Sequence, residues 1–188
     1  MTNHHLQLQD LVNRLGNRMR TEVRQGHGTE RLQPVHVQAL NYLQQCNRYS
    51  NTPLALTEYL GLTKGTVSQS LLLLYRKGLI ERSPDPVDNR VVRLRLSPKG
   101  EKLLKQQNAA SEWKATTKIN NKKLESTASV LSELLQALQV SHGARTFGAC
   151  PTCRYFKGKN GSPSRCGLTG ERLYRNEIGK ICREHAVA

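Results

Sequence analysis

Acidic side chains are scarce in this 188-residue chain: 14 Asp and Glu stand against 29 Lys and Arg, leaving a formal charge of +15. A polyanionic partner is the natural reading, because phosphate neutralisation by Lys and Arg drives nucleic-acid association. The bland alternative is a basic surface kept for solubility. Aromatic residues are also few, with two Phe and one Trp, so a core must be built mainly from Leu, Val and Ala, as in a helical protein with leucine seams. Long apolar runs are missing: the longest is Leu71 to Leu74, and the first 19 residues hold no unbroken apolar stretch of signal-peptide kind. The expectation is a soluble, cytoplasmic protein with no membrane partner. No Ser-His-Asp grouping, glycine-rich phosphate loop or pair of carboxylates presents itself, so an enzyme is not expected. Outside the last 39 residues the only cysteine is Cys46.

The length suits one domain of ordinary size with a small appendage. Leu8, Leu11, Leu15 and Met19 recur at spacings of three and four, predicting a first helix over about 4–24 that Gly26 and Gly28 end. A second helix begins after Pro34 and buries Val37, Leu40 and Leu43, with a loop over Asn47 to Pro53. Cys46, near the end of that helix, reads as a packed thiol.

Residues 54–80 give two short helical patterns separated by Gly61 to Thr63, a helix, tight turn and helix. Thr63 is an N-cap candidate, and Val67, Leu71 and Leu74 form the inward stripe of the second helix. That leaves Lys64, Thr66, Ser68 and Gln69 exposed near its N-terminus, where such side chains can reach phosphates or base edges in a major groove. Gly78 stops the helix. Leu79 to Arg82 and Val91 to Leu96 read as strands around the turn-rich SPDPVDN, a hairpin with Arg90 at its tip. Arg90 would reach an adjacent minor groove, with Arg93 and Arg95 along the basic outer face of the arm. Ser97 and Pro98 supply a cap and first-turn proline for a further helix. Residues 99–139 contain no Pro and only Gly100, so long helices follow, broken near Thr116 to Asn121. In the second of them Leu124, Ala128, Leu131, Leu135 and Leu138 make a narrow seam, either an intrachain core stripe or a dimer contact.

The order of LTKGTVSQ, KGLIERSPDPVDNR and VVRLRLSPKG, with Asp85, Asp88 and Arg90 in the wing, resembles the winged-helix core of the MarR family over about 54–105. The resemblance implies a mainly α fold with a small β-wing. It further implies a homodimer built from long N- and C-terminal helices, and two recognition helices reading a palindromic operator in double-stranded DNA. Two departures stand out. Gln69 occupies a position where many relatives carry Arg, and Leu72 with Leu73 replace polar residues.

From Ser141 the composition changes: seven glycines appear with Pro151 and Pro163, and apolar material becomes too thin to fold unaided. The domain division is accordingly 1–140, carrying DNA-binding and dimerisation, and 141–188, a Cys-rich extension. Its pattern is Cys150-x2-Cys153-x12-Cys166-x15-Cys182, with His185 closing a Cys-x2-His. In a reducing compartment four clustered thiols favour metal ligation over disulfides. The spacing resembles that of high-potential iron–sulfur proteins, and a [4Fe–4S] cluster would use all four cysteines. A Zn2+ ribbon through Cys150, Cys153, Cys182 and His185 would strand Cys166, so iron–sulfur is favoured and zinc remains the alternative. The expected function is a sequence-specific DNA-binding transcription regulator modulated by the cluster through redox, nitric oxide or iron sensing. A regulator with a structural zinc tail and a small-molecule effector is the second reading, and an iron–sulfur electron carrier a remote third.

Overall fold

In a computed structural model, the structure describes residues 3–25, 32–110, 116–158 and 164–187. Two long helices, α1 (Asn3–Gln25) and α6 (Asn121–Ser141), flank a small helical and β core. Between them run α2 (Pro34–Gln45), α3 (Pro53–Leu60), α4 (Lys64–Arg76), β1 (Ile80–Pro84), β2 (Val92–Leu96) and α5 (Pro98–Ala110). Beyond α6 follow a 3-10 turn at Cys150–Thr152, a short hairpin of β3 (Phe156–Lys157) and β4 (Arg165–Cys166), and the one-turn helix α7 (Arg175–Ile178). This is the mainly helical, winged-helix architecture that the sequence led us to expect, with the wing formed by β1 and β2. Gly26 and Gly28, expected to end α1, lie outside the described residues.

Each element of the core starts and stops for a local reason. Pro34 and Pro53 open α2 and α3, where a missing N–H costs no helical bond. Thr52 and Thr63 cap α3 and α4 by accepting from the Ala55 and Thr66 backbone N–H groups. Between α3 and α4, Gly61 adopts the left-handed conformation (φ 62°) that lets the chain turn within three residues. The wing is antiparallel, with Ile80 opposite Leu96 and Pro84 opposite Val92. Ser97 joins wing to helix: its hydroxyl donates to the Gly78 carbonyl at 2.6 Å and accepts from the Gly100 N–H at 3.1 Å.

Leu40 and Tyr42 of α2, Leu56 of α3, Leu71 and Leu74 of α4, and Leu79, Ile80 and Leu94 of the wing are buried in one cluster that also takes Leu104 of α5. In α6, by contrast, no residue is buried. Its seam residues Leu131, Leu135 and Leu138 are exposed, as are Leu11, Leu15 and Met19 of α1. Of the two readings of that seam, an intrachain core stripe therefore fails: the apolar faces of α1 and α6 are left unpacked within one chain.

The cysteine-bearing segment docks against the winged-helix core. Phe147 enters the main cluster, its ring edge-on to Tyr59 and Tyr42 with centroids 5.3 and 6.4 Å away. The backbone of Ile181 donates to the Gln45 carbonyl and accepts from the Asn47 N–H, both at 2.9 Å, so this strand-like piece lies along the end of α2. Arg183 forms a bidentate pair with Glu58 of α3, and Arg48 pairs with Glu171 and Glu177. Its thin apolar content is thus supplemented by contacts to α2 and α3.

Candidate functional site: a nucleic-acid interface and a cysteine cavity

The first half of α4 presents Lys64, Thr66, Ser68 and Gln69 to solvent, while Val67, Ser70, Leu71 and Leu74 face inward. Helical spacing dictates that division, since inward residues recur at three and four. The Thr66 hydroxyl lies 2.9 Å from that of Thr63, so this threonine belongs to the cap as well as to the exposed face. The N-terminus of α4 carries no acidic residue in its first turn, which leaves its unpaired N–H groups and partial positive charge open to an anion. Leu72 and Leu73 are half-buried, and Leu73 packs against the core cluster.

In the wing, the three arginines have different surroundings. Arg90 at the tip is 90% exposed and, among the described residues, bonds to Asp88, through two side-chain bonds of 3.0 Å and its backbone N–H at 3.0 Å. That pair is loose enough to exchange for a phosphate. Arg95 points into solvent from β2. Arg93 does not lie along an outer face as expected: only 23% exposed, it folds back beneath the hairpin. Its Nε donates to Asp85 at 2.6 Å, and its Nη1 donates to the Arg48 carbonyl (2.9 Å), the Tyr49 carbonyl (3.3 Å) and Asn51 Oδ1 (3.1 Å). A guanidinium held through Nε and Nη1 ties the wing to the α2–α3 loop. Asp85 in turn accepts from the Val87 and Asp88 N–H groups, shaping the turn. Those backbone bonds, followed by Arg93, hold its carboxyl at about 2, well below the usual range.

Cys150, Cys153, Cys166 and Cys182, drawn from three separate stretches of the tail, line one cavity of about 70 Å³. Tyr155, Phe156, Leu168 and Leu173 close it with apolar surface, and Asn47 and Tyr49 of the α2–α3 loop complete the wall. Burial, then mutual repulsion with Cys182, Cys153 and Cys166, pushes the free Cys150 thiol up to about 11. Cys182 is raised chiefly by burial, against a hydrogen bond from the Asn47 side chain and the Glu184 N–H. At Cys166 burial is outweighed by the N–H groups of Thr169 and Leu168 and the Thr169 hydroxyl, and its pKa falls below the ordinary value. Donors aimed at sulfur are the surroundings a metal-bound thiolate needs.

Two other groups stand apart. His185 is buried at 6% exposure with its ring beside Thr146 and Thr152, 3.0–3.2 Å from their hydroxyls, and does not line the cavity. Among the described residues, no three His, Cys, Asp or Glu side chains are grouped so as to hold a single metal ion. Cys46 is buried and donates to the Leu43 carbonyl, its thiol pushed up to about 11 by burial. It lies across a backbone bridge from Ile181 and so beside the tail, a proximity that a separation of over 100 residues concealed.

The α2–α3 loop is what sequence reasoning missed. Read as a connection, it supplies two walls of the cavity, the carbonyls that hold Arg93 and the partners of Glu171. Its density of hydrogen-bonding residues, Asn47 to Thr52, was the available signal.

The geometry is that of a winged helix, and residues 32–100 match the family model described as a winged helix DNA-binding domain. Solved structures with the same fold include FabT of Streptococcus pneumoniae in complex with DNA, 24% identical with a TM-score of 0.54, covering 73% of this chain and 98% of that one. BldR, a transcriptional regulator of Sulfolobus solfataricus, is 20% identical with a TM-score of 0.57 over 71% and 99% of the two chains. Apo MarR from E. coli is 21% identical with a TM-score of 0.52 over 69% and 95%. Each neighbour is spanned almost completely while more than a quarter of this chain stays uncovered. No curated protein matches the chain. No helix among the described residues is long and apolar enough to cross a membrane.

Proposed function

We infer that the chain is a homodimeric, sequence-specific transcription regulator, not an enzyme, whose operator binding depends on a [4Fe–4S] cluster held by Cys150, Cys153, Cys166 and Cys182. The observation that carries the cluster is four thiols around one apolar-walled cavity. A zinc ion draws its ligands to within about 2.3 Å of one centre, whereas a cubane offers four separate iron corners and fits cysteines set around a space. His185, the fourth ligand of the zinc alternative, is turned to Thr146 and Thr152 instead. A cluster in that cavity would supply an oxidisable, nitric-oxide-sensitive and iron-dependent staple for a segment poor in apolar residues.

The DNA part rests on α4 with its exposed Lys64, Thr66, Ser68 and Gln69, on Arg90 and Arg95 in the wing, and on FabT being a DNA complex of the same fold. Homodimerisation is supported by the exposed apolar faces of α1 and α6, which a second copy would cover and which would set two α4 helices against a palindrome.

Anaerobic purification followed by iron and sulfide analysis tests the reading. Single Ser substitutions at the four tail cysteines should each abolish cofactor retention. Cys46→Ser and His185→Gln should retain it. A full metal complement in Cys166→Ser, with loss in His185→Gln, replaces the cluster by zinc.

A further inference from the structure

Asn47 belongs to the winged-helix domain but touches the cysteine cavity. It is only 5% exposed. It lines the cavity together with Cys182, its backbone N–H donates to the carbonyl of the adjacent Ile181 at 2.9 Å, and its side chain, as a donor towards the Cys182 sulfur, draws that thiol's pKa down against burial. Oδ1 accepts from the Tyr49 N–H at 3.1 Å and from the Ser50 hydroxyl at 2.7 Å. Ser50 Oγ accepts from the Arg183 N–H at 2.8 Å, and the Ser50 carbonyl accepts from the Tyr42 hydroxyl at 2.7 Å. A buried amide whose oxygen takes two bonds within its own loop fixes the conformation of that loop, since any displacement strands a donor.

The same loop holds the wing from its other face. Carbonyls of Arg48 and Tyr49 and Oδ1 of Asn51 accept from Arg93, and the Asn51 carbonyl accepts from the Leu94 N–H at 2.8 Å. Arg93 anchors Asp85, and Asp85 shapes the turn that ends in Arg90. From sulfur to wing tip the path runs through Cys182, Asn47, the 48–51 backbone, Arg93, Asp85, Asp88 and Arg90.

We propose that Asn47 is the positioning residue that links occupancy of the cysteine cavity to the placement of the DNA-binding wing. The inference rests on the cluster reading above. Ligation sets where the Cys182 sulfur sits; Asn47 follows that sulfur because its amide would otherwise lose a buried partner; and the carbonyls that hold Arg93 move with Asn47. An empty cavity releases the sulfur and with it the wing. Coupling of this kind is worth about 5- to 150-fold in affinity between two sites.

The test compares operator affinity at fixed salt for cluster-loaded and chelator-stripped full-length protein, in the wild type, Asn47→Ala and Arg93→Gln. The wild type should show a difference of about tenfold or more. Asn47→Ala should keep iron and sulfide, because no cysteine is changed, yet show a lower cluster midpoint potential through loss of an N–H donor to sulfur. Its affinity difference should shrink to within about twofold. Arg93→Gln, away from the cavity, should keep the wild-type potential and lose the difference. An Asn47→Ala protein with its cluster and the full wild-type difference overturns the link while leaving the cluster reading intact. If that variant fails to hold iron, Arg93→Gln decides: a retained difference overturns the link, a lost one supports it. Wild-type protein without iron and sulfide, or with a cluster that leaves affinity unchanged, overturns the cluster-dependent reading and the link together.

Discussion

Arg90 and Arg93 are three residues apart, equally charged and differently employed. Arg90 projects from the wing tip paired with Asp88, so Arg90→Ala should weaken operator binding on the order of tenfold or more while circular dichroism and mass in solution stay unchanged. Unchanged affinity would remove Arg90 from the interface. On α4, Gln69 and Lys64 are both exposed but differ in chemistry. An uncharged amide can read base edges, so Gln69→Ala should reduce the preference for cognate over random DNA. Lys64→Ala should lower both affinities alike and flatten the salt dependence by about one unit of slope. Titrations on the two DNAs at several salt concentrations separate these outcomes. Gly100 carries a different constraint: a Cβ built there would lie 2.1 Å from the Leu79 carbonyl oxygen. Replacing a helical glycine by alanine gains about 1 kcal/mol in propensity. Backbone overpacking costs typically 1–3 kcal/mol and here has no flexible side chain to yield. Gly100→Ala should therefore lower the thermal midpoint, and a rise would mean that α5 shifts freely.

Among the elements, the wing has a pH dependence that its geometry fixes. The Asp85 carboxyl is held at about 2 by the Asp88 and Val87 N–H groups and by Arg93, against about 3.9 in an unfolded chain. A depressed folded-state pKa stabilises the ionised fold, so the contribution is complete above about pH 4 and fades as pH falls towards 2. Hydrogen exchange across 85–91 should accelerate over that window before the α2–α4 core responds. In Asp85→Asn the acceleration should be present already at pH 7. Equal protection of wild type and variant at neutral pH would show that the turn stands without its carboxylate. The element boundaries themselves were largely readable. Prolines and threonines at helix starts, Gly61 in the turn and the alternation of β2 are local signals, and the structure places each helix start and turn where those residues put them. Arg93 was not readable in the same way. Alternation assigns it to the outer face of the hairpin, but its partners Arg48, Tyr49 and Asn51 come from more than 40 residues earlier.

For the whole molecule, the sequence determined the class of fold and the supply of interacting groups. Period 3.6 in the helices, period 2 in the wing and capping residues at fixed offsets act over a few positions, so they survive without knowledge of the rest of the chain. The cysteine spacing likewise marked four tail thiols as a set because thiols are few and clustered. Only the tertiary structure decided where that set lies. Phe147, Ile181 and Arg183 bring the tail onto α2 and α3, Asn47 and Tyr49 become walls of the cavity, and His185 is turned away from it. Those placements depend on contacts between residues from 33 (His185 and Thr152) to 136 (Ile181 and Gln45) positions apart, where no periodicity operates and only the shape of the packed surface selects the partner. The exposed apolar faces of α1 and α6 show the same division: spacing made them amphipathic helices, and the packing of the single chain left them uncovered.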